Sequence, residues 1–417
     1  MKKRVALITH DMSLVGGLAT LVTFLYRTLL ESGRYEPELI SLATSASDGS
    51  SLRLKSPKTW FRGPKIDKRE WHDLSFTHVG VWGSELEFQR YRPRRMLTEL
   101  LKSYDLLQFI VGSPPWACTA EGMDRPVLIW TATTTRADRA SQRRSGSLTR
   151  RAWSSLMMPI TESYERRALK SAHAIFALSE YTSSAIKPIA GEERVMLAPC
   201  GVDTTLFRPA AQAVGDYIIS VGRLSDPRKN VRLLLEAYDK LQHALIDVPD
   251  LYLVGECPSP SDLSFLRNRK LEHKIHLGRP GQEELASLYR NARFCVLSSN
   301  EEGLGIVILE AMASGLPVIS TDCGGPATCI IEGRTGLLTP VGDANALAEA
   351  MEKLLRDPAL SIRMGKEGRR VAEERFSLSL AGKVFLDTYD NVLSGKTVAS
   401  EHQPSHDPSF SAVGSSV

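Results

Sequence analysis

Residues 298–319 read SSNEEGLGIVILEAMASGLPVI and decide the fold. They follow an apolar run typical of a buried strand, pass through a glycine-containing loop, and continue at helical spacing over 306–313 before a second apolar run over 317–320. Strand, loop, helix and strand in this order form the repeating unit of parallel sheets. We therefore predict an α/β protein whose ligand-binding loops follow the carboxyl ends of its strands.

The same alternation extends in both directions from this stretch. Near the start of the chain, strands over 5–9 and 37–41 flank a Gly16-Gly17 loop and a helical segment, and a second series begins with a strand over 217–221. Two such series predict two Rossmann-like domains facing across a central cleft. The predicted divisions are an N-terminal domain over 1–208, a C-terminal domain over 209–375, a helix over 376–393 that could cross back to the first domain, and a disordered tail over 394–417.

Composition excludes several classes of protein. A chain of 417 residues is long enough for about two to three domains. Its 52 Lys and Arg nearly balance its 48 Asp and Glu, and a formal charge of +4 argues against a protein devoted to nucleic acid. Because nowhere do 18 apolar residues follow one another, we predict no membrane-spanning helix.

The cysteines and the N-terminus predict a cytoplasmic protein. The six cysteines form no Cys-x-x-Cys pair and no cluster with histidine at zinc spacing, so we expect reduced thiols. The N-terminal sequence MKKRVALITH is basic and then apolar, but the apolar part is too short for a signal peptide. We predict that it forms the first buried strand.

Two glutamates in the quoted stretch are candidate ligand-binding residues. Glu302 precedes the helix and Glu310 lies two turns into it, about 12 Å further along the axis. This span matches a sugar, a diphosphate and a ribose laid end to end, with one carboxylate accepting from sugar hydroxyls and the other from ribose hydroxyls. Gly303 and Gly305 would let the backbone approach the ligand, and the N–H groups of residues 304–307 would attract phosphate. The structural alternative is a capping Glu302 and a solvated Glu310.

Two cations follow the predicted strand 217–221. Arg223 and Lys229 occupy the loop between this strand and the next helix, where they could converge on a diphosphate. Such cations would stabilise a departing nucleotide. A polar loop with incidental charges is the alternative.

Together these motifs resemble the retaining, nucleotide-sugar-dependent glycosyltransferases of family 4, also called glycosyl transferases group 1. The resemblance covers most of residues 170–390, whereas the first domain matches only through its Gly16-Gly17 loop and general pattern. The motifs that carry it are Leu178-Ser179-Glu180, Pro199-Cys200-Gly201-Val202-Asp203, Phe207-Arg208-Pro209, Gly222-Arg223 to Lys229, Glu302 to Glu310, Gly315-Leu316-Pro317-Val318, Gly324-Gly325 and Gly333-Arg334-Thr335-Gly336.

The resemblance implies the GT-B fold and a site for a nucleotide diphosphate sugar. Glu302 would bind the donor sugar near its reacting end, and Glu310 would take the ribose hydroxyls. The base would lie near Gly255 and Leu277-Gly278-Arg279. The remaining sugar hydroxyls would be held by backbone groups of Gly303, Leu304, Gly305 and Ile306.

The resemblance also implies how the diphosphate is held. Arg223 and Lys229 would neutralise it, helped by the amides of Val307 and Ile308 and by the Gly16-Gly17 loop. Glu302, Arg223 and Lys229 would therefore be the catalytic residues, and transfer would retain the anomeric configuration. Neither a metal nor another cofactor is expected, since cationic side chains and helix dipoles replace the metal and no Asp-x-Asp candidate ends a strand.

Three positions depart from the family pattern or could add to it. Many relatives carry a sugar-contacting histidine where this sequence has Ala132, which puts the details of sugar contact in question. Cys200 replaces a commoner asparagine, and we interpret it as a small buried residue rather than a nucleophile. His10 ends the first strand and could face the cleft, although a structural role is the commoner one.

These observations favour a glycosyltransferase acting on a hydroxyl acceptor, either a glycan, a lipid-linked saccharide or a small molecule. The alternative is a non-catalytic relative that binds a nucleotide sugar or a partner, because the usual histidine is absent. An NAD-dependent enzyme is disfavoured, since no Gly-x-Gly-x-x-Gly follows the first strand. The donor base stays open between UDP, GDP and ADP.

The first domain leaves membrane contact open. The arginines at 136, 139, 143, 144, 150 and 151 form either a solvated charged face or a patch for an anionic acceptor or an anionic membrane surface. The protein is therefore expected in the cytoplasm, with peripheral contact at the inner face of the membrane as an open alternative. Periodicity is unclear from about residue 45 to 95, so this part is not assigned.

Overall fold

The computed structural model describes residues 2–10, 12, 16–45, 47–54, 56–71, 74–139, 148–210 and 215–396. They form two compact units. Of the described residues, unit 1 contains those up to Leu178, Thr182–Ala198 and those from Gly382 to residue 396; unit 2 contains Ser179–Tyr181 and those between Pro199 and Ala381. The units thus divide after Ala198, whereas the sequence places the division after residue 208.

The residues just after this division belong to unit 2 because they are bonded to it. One guanidinium nitrogen of Arg369 donates to the carbonyl oxygens of Thr204 (3.0 Å), Phe207 (2.7 Å) and Ala313 (2.6 Å). The Phe207 ring also packs edge-on against Tyr289, with ring centroids 5.8 Å apart. These contacts hold 204–207 on unit 2.

The described strands of unit 1 form one sheet in the order β3-β4-β2-β1-β5-β6-β7-β8. All neighbours are parallel except β3 and β4, which run antiparallel at the edge. The central strands are apolar and fully buried, as parallel strands covered on both faces must be. The strands are β1 (Lys3–His10), β2 (Tyr35–Leu42), β3 (Ile66–Trp71), β4 (Leu74–Val79), β5 (Leu106–Val111), β6 (Val127–Thr131), β7 (Ala174–Ala177) and β8 (Val195–Leu197).

Helices connect these strands, as the predicted alternation requires. The first begins at Gly17 and buries an apolar stripe that includes Leu21, Val22 and Leu25. Residues 135–139 are also helical, and short 3-10 turns cover Glu87–Tyr91, Pro114–Ala120 and Glu192–Arg194. The helices are α1 (Gly17–Glu31), α2 (Pro57–Trp60), α3 (Arg95–Leu101), α4 (Leu148–Ser171) and α5 (Glu180–Ala190).

Unit 2 has a sheet of described strands that are all parallel, in the order β11-β10-β9-β12-β13-β14. The chain starts this sheet at its middle, builds outward to one edge, and then returns to the other side of its first strand. In such sheets the ligand crevice lies at the carboxyl ends of the two strands where the direction of building reverses, here β9 and β12. The strands are β9 (Tyr217–Arg223), β10 (Asp250–Glu256), β11 (Ile275–Gly278), β12 (Ala292–Leu297), β13 (Val318–Thr321) and β14 (Gly336–Thr339).

The core of unit 2 lies between this sheet and its helices. Leu234, Leu253, Phe294 and Met351 are completely buried there. Short 3-10 turns cover Pro227–Lys229, Glu272–Lys274 and Gly325–Thr328. The helices are α6 (Val231–Ala244), α7 (Pro260–Asn268), α8 (Gln282–Arg290), α9 (Ile306–Ala313), α10 (Ala344–Arg356) and α11 (Pro358–Phe376).

The last helix, α12 (Leu378–Leu393), belongs to unit 1 from Gly382 onward. Phe385 is completely buried, and its ring contacts those of Phe24, Trp130 and Phe176. The helix begins at Leu378 rather than at the predicted residue 376, because the extended backbone of Ser377 forms a bridge with Val202. Residues 397–417 of the predicted disordered tail lie outside the described residues.

Candidate functional site

Two loops of unit 2 form the centre of the candidate site. One follows β9, whose last residue is Arg223, and carries Lys229; the other follows β12 and carries Glu302. Since β9 and β12 are paired neighbours, their loops emerge side by side at the reversal point of the sheet. There the Lys229 Nζ atom donates to Glu302 Oε1, in an ion pair whose side chains are only 19% and 11% exposed.

The position of Lys229 is fixed by its backbone. The Asp226 carboxylate accepts from the Arg228 amide and begins the 3-10 turn Pro227–Lys229, and Asn230 leaves that turn in a left-handed conformation with φ of 44°. The Ser298 hydroxyl then lies 3.0 Å from the carbonyl oxygens of both Lys229 and Asn230. The β9 loop is thereby fastened to the first residue after β12.

Arg223 is the last residue of β9, two residues beyond the predicted end of that strand, because it stays in register with Glu256 of β10. Its guanidinium pairs with Asp226 at 3.1 Å, and its side chain is more exposed than that of Lys229. The structure therefore places Arg223 at the end of the strand and Lys229 in the loop after it, with the first cation paired locally and the second paired across to Glu302. Their convergence on a diphosphate stays a prediction.

Glu302 is held from two sides. The Ser299 hydroxyl donates to Glu302 Oε1 at 2.7 Å. On the other side, the backbone carbonyl oxygen of Glu302 accepts from the Gly325 amide at 3.1 Å. A Cβ atom at Gly325 would lie 2.5 Å from that carbonyl oxygen and 2.6 Å from the carbonyl carbon of Gly303. The loop after β13 thus packs so closely against the loop after β12 that only glycine fits at this position.

The backbone after Glu302 presents donors at the start of α9. Gly305 precedes the helix with φ of 83°, a conformation that favours glycine. The amide of Ile308 donates back to the Gly305 carbonyl at 2.8 Å, so this amide is engaged within the turn. Within the described ranges, the amides of residues 303–307 have no backbone acceptor. Such amides at a helix N-terminus attract anions.

Glu310 lies in α9 and is partly buried rather than solvated. The Tyr289 hydroxyl donates to its Oε2 atom at 3.1 Å. Burial raises the pKa of the Glu310 carboxyl to about 7, and the hydrogen bond from Tyr289 opposes that rise. Burial raises the pKa values of the Cys200 and Cys295 thiols, and the nearby negative charge of Glu310 raises them further. Cys200 is thus a small buried residue and an inert thiol.

The residues predicted to meet the base lie on the other side of β9 from Glu302. Gly255 of β10 is in register with Gly222 of β9, and Val254 is in register with Gly278, the last residue of β11. Arg279 follows directly and is exposed. These residues share the carboxyl edge of the sheet with the rest of the site; contact with a base stays a prediction.

Four of the residues singled out in the sequence belong to unit 1. Gly16 precedes α1 with φ of 141°, and Gly17 is the first residue of that helix. His10 stacks on Trp116 with centroids 4.9 Å apart, and its Nε2 atom accepts from the Gly112 amide at 3.3 Å, as a structural histidine would. Ala132 follows β6, and its carbonyl oxygen accepts from Thr182. The structure therefore places the Gly16-Gly17 loop in a different unit from the other residues predicted to bind the donor.

The predicted basic segment is largely paired where the structure describes it. Arg136 pairs with Glu162 at 2.9 Å, and Arg139 pairs with Glu87. Residues 140–147, which include two of its arginines, lie outside the described ranges. The segment is therefore less of a free cationic patch than its sequence suggests.

Several residues of the site cannot be recognised from the local sequence. Ser299 lies inside the quoted stretch, but its hydrogen bond to Glu302 depends on the loop geometry. Ser298 and Asn300 tie the two loops together through Lys229, Asn230 and the Arg228 carbonyl. The spacing around Tyr289 indicates only the apolar side of a helix. The contact of its hydroxyl with Glu310 depends on the tertiary fold.

Two further properties of the described residues bear on function. No three His, Cys, Asp or Glu side chains in the described ranges are grouped so that they could hold a metal ion. In the same part of the chain, no helix is both long enough and apolar enough to cross a bilayer.

The fold and the site together define a two-unit α/β protein in which the start of a helix lies beside a partly buried Lys–Glu pair. Residues 205–371 match the model of the family described as Glycosyl transferases group 1. The chain therefore contains a glycosyl transferases group 1 domain, which confirms the family resemblance drawn from the sequence.

The similar curated proteins are sugar transferases. The chain is 31% identical over 203 residues to the phosphatidyl-myo-inositol mannosyltransferase of Mycobacterium leprae, covering 46% of this chain and 53% of that protein. It is 30% identical over 254 residues to the GDP-mannose-dependent alpha-(1-6)-phosphatidylinositol monomannoside mannosyltransferase of Mycolicibacterium smegmatis, covering 55% and 65%. The chain thus matches between about half and two thirds of the length of these relatives.

Solved structures agree on the fold. Sucrose-phosphate synthase from Thermosynechococcus elongatus has a TM-score of 0.72 at 22% identity, covering 95% of this chain and all of that chain. Anabaena HepE, solved in complex with UDP, has a TM-score of 0.65 at 16% identity and covers 94% of this chain. The predicted α/β fold class, GT-B, is confirmed.

Proposed function

We propose that this protein is a retaining glycosyltransferase that moves a sugar from a nucleotide diphosphate donor to a hydroxyl acceptor. The observation that carries the proposal is the partly buried Lys229–Glu302 pair beside the amides of residues 303–307. A nucleotide sugar requires a carboxylate that accepts from its hydroxyls. It also requires positive groups that bind its phosphates, here an ammonium and the start of a helix. The group 1 domain adds support, since it covers both loops.

In the proposed reaction, the bond between the anomeric carbon and the diphosphate oxygen breaks as the acceptor oxygen attacks the same face, and the acceptor hydroxyl gives its proton to the departing diphosphate. The transition state resembles an oxocarbenium ion, and negative charge grows on the leaving diphosphate. Lys229, Arg223 and the helix start would stabilise that charge, which is the main electrostatic task of the site. Glu302 would hold the sugar hydroxyls, and Glu310 the ribose hydroxyls. We propose that no metal takes part, because these groups supply the positive potential.

A ligand panel tests the donor. Thermal stability is measured with UDP, GDP, ADP and TDP in the presence of a chelator, for the wild type and for Glu310→Ala. A nucleotide at 100 times its dissociation constant adds about 2.7 kcal/mol of stability, so one nucleotide should stabilise the wild type clearly and the variant much less. If no nucleotide stabilises the protein, the proposed donor class is wrong.

Turnover is tested separately from binding. The sugar derivatives of the best nucleotide are incubated with saccharide, inositol and lipid-linked acceptors, and release of the nucleoside diphosphate is measured with the anomeric configuration of the product. We expect transfer with retention. Tight donor binding without transfer to any acceptor would favour a non-catalytic binding protein instead.

We further propose a lipid or lipid-linked acceptor reached at an anionic membrane surface. The support is helix α4, in which Trp153, Leu156 and Ile160 are exposed by 45%, 63% and 38% and are spaced along one helix face. The two mannosyltransferases named above carry phosphatidylinositol in their names, which fits such an acceptor.

Vesicle co-sedimentation tests the membrane proposal. The wild type should pellet with vesicles that contain anionic lipid and less with neutral ones, and Trp153→Ser/Leu156→Ser should stay in the supernatant. Ile246→Ser is the control, because Ile246 is a fully exposed apolar residue of unit 2. Equal binding of all three proteins, or no binding of the wild type, would refute membrane contact through α4.

A further inference from the structure

Tyr289, on helix α8, has a buried hydroxyl that connects two parts of helix α9. The residue is completely buried, and its ring is fixed edge-on against Phe207. Its hydroxyl oxygen lies 3.1 Å from Glu310 Oε2 and 3.4 Å from the carbonyl oxygen of Val307. Among the described residues, Tyr289 is the side chain that donates a hydrogen bond to Glu310.

A tyrosine hydroxyl has one proton to donate and lone pairs to accept with, so Tyr289 can satisfy Glu310 in both of its protonation states. When Glu310 is ionised, the hydroxyl donates to the carboxylate. When Glu310 is protonated, its own O–H can donate to the Tyr289 oxygen, and the tyrosine proton can turn to the Val307 carbonyl. The carboxyl therefore keeps a hydrogen bond, and one orientation, throughout its titration.

We propose that Tyr289 is a positioning residue that orients the Glu310 carboxyl toward the ribose hydroxyls of the nucleotide. The inference rests on the proposed function, because it requires Glu310 to bind ribose. With Oε2 bonded to Tyr289, the other carboxyl oxygen is left for the ligand. Ionised Glu310 is the better acceptor for hydroxyls, since hydrogen bonds to a charged group are the stronger ones.

The surroundings of Glu310 make this support necessary. The titratable groups that face it are Tyr289 from α8, the Cys200 thiol from the chain after β8, and the Cys295 thiol from β12. None of these three carries positive charge, and both cysteines are completely buried. Burial raises the pKa of Glu310 to about 7, while the Tyr289 hydrogen bond favours the ionised form. Removing the hydroxyl should therefore reduce the ionised fraction at neutral pH.

The test compares Tyr289→Phe with Glu310→Gln and with a matched control. Tyr238→Phe makes the same chemical change at another completely buried tyrosine of unit 2, whose hydroxyl donates to the Pro249 carbonyl at 2.8 Å. The probes are whichever of UDP and GDP binds the wild type more tightly, and its 2′,3′-dideoxy analogue. Dissociation constants are measured by calorimetry between pH 6 and pH 9, and thermal unfolding confirms that each variant is folded.

We expect Tyr289→Phe to weaken nucleotide binding about fivefold at pH 7 and by a smaller factor at pH 9, because the carboxyl loses its fixed orientation at both pH values and is also less ionised near neutrality. Binding of the dideoxy analogue should not change. Glu310→Gln should bind weakly at every pH, and Tyr238→Phe should bind like the wild type.

Two different failures are distinguishable. If the dideoxy analogue binds the wild type as tightly as the full nucleotide, the ribose role of Glu310 is wrong, and the proposed function loses that part. If Glu310→Gln weakens binding but Tyr289→Phe resembles Tyr238→Phe, or if Tyr289→Phe weakens binding of the dideoxy analogue as much as binding of the full nucleotide, Tyr289 has only a structural role and the inference is overturned.

Discussion

The Lys229 ammonium and the Glu302 carboxylate pair across two loops that follow different strands of the unit 2 sheet. The two residues are far apart in sequence, and the pair forms because the chain returns to the far side of β9 when it enters β12. Both side chains are largely shielded from water, so each depends on the other for compensation of its charge. This arrangement keeps an ammonium at the site before any ligand arrives.

Replacing Lys229 by methionine should reduce the rate of sugar transfer. Removing a group that stabilises developing charge costs about 10²–10³-fold in kcat. Methionine keeps a similar volume but leaves Glu302 without its partner, so we expect a folded variant that is less stable than the wild type, and thermal unfolding checks this. Initial rates with the donor identified by the nucleotide panel measure this. Arg228→Met is the control in the same 3-10 turn, since Arg228 pairs with Asp226 at 2.8 Å rather than with Glu302. Equal losses in both variants would contradict a specific role for Lys229.

Replacing Glu310 by glutamine should change how stability depends on pH. The pKa of Glu310 is raised from 4.5 to about 7 in the folded protein, so the folded state binds more protons than the unfolded state between these values. The free energy of unfolding of the wild type therefore falls as pH rises through this window, and the variant lacks that fall. Relative to the wild type, Glu310→Gln should gain about 2 kcal/mol between pH 4.5 and pH 8, with allowance for partial solvent exposure.

Urea denaturation at the two pH values measures this difference. Glu349→Gln, on the exposed side of α10, controls for the loss of one negative charge. A difference between wild type and Glu310→Gln that is the same at both pH values would show that the Glu310 carboxyl does not titrate in this window.

Gly325→Ala should weaken nucleotide binding and lower stability, although it leaves every charged residue of the site unchanged. The added methyl group would lie 2.5 Å from the Glu302 carbonyl oxygen, and backbone atoms cannot yield as a flexible side chain can. We expect a loss of about 1–3 kcal/mol in stability and weaker nucleotide binding, because residues 302–304 must shift. Gly49→Ala is the control, since nothing lies within 4 Å of its added Cβ. Chemical denaturation and calorimetry report the two effects, and unchanged binding by Gly325→Ala would contradict the prediction.

Phe385→Ala should destabilise unit 1. The Phe385 ring is completely buried against Phe24, Trp130 and Phe176, and removing such a ring costs about 3–5 kcal/mol. Leu380→Ala on the same helix removes a side chain that is 44% exposed and should cost much less. The change can be followed by tryptophan fluorescence during urea unfolding, since all six tryptophans of the chain belong to unit 1. Similar midpoints for both variants would show that α12 does not stabilise unit 1.

Much of unit 2 could be predicted from the sequence because its signals are local. The helix predicted over 306–313 matches α9, and the glycine loop before it lies where the spacing places it. Apolar periodicity and glycines at the ends of elements depend little on distant residues. They therefore indicate both the type of an element and where it begins and ends. Glu302 and Glu310 could be singled out for the same reason.

The part that could not be predicted depends on contacts between distant residues. The edge strand β3 alternates exposed and partly buried residues and contains four charged ones, so its apolar signal is weak. Arg223 and Lys229 look equivalent in sequence, yet Asp226 pairs with the first and Glu302 with the second. The role of Tyr289 depends on the packing of α8 against α9, which no local pattern encodes.

The return of helix α12 to unit 1 has a consequence for how the protein is made. Tyr389, near the end of that helix, donates to Gln108 of strand β5 at 2.9 Å in a fully buried position. A ribosome therefore synthesises the described part of unit 2, up to Ala381, before it supplies the described residues of unit 1 that begin at Gly382. Until then Phe24 and Trp130 lack the Phe385 ring that contacts them in the finished protein, so unit 1 can be completed only after that part of unit 2 has been made.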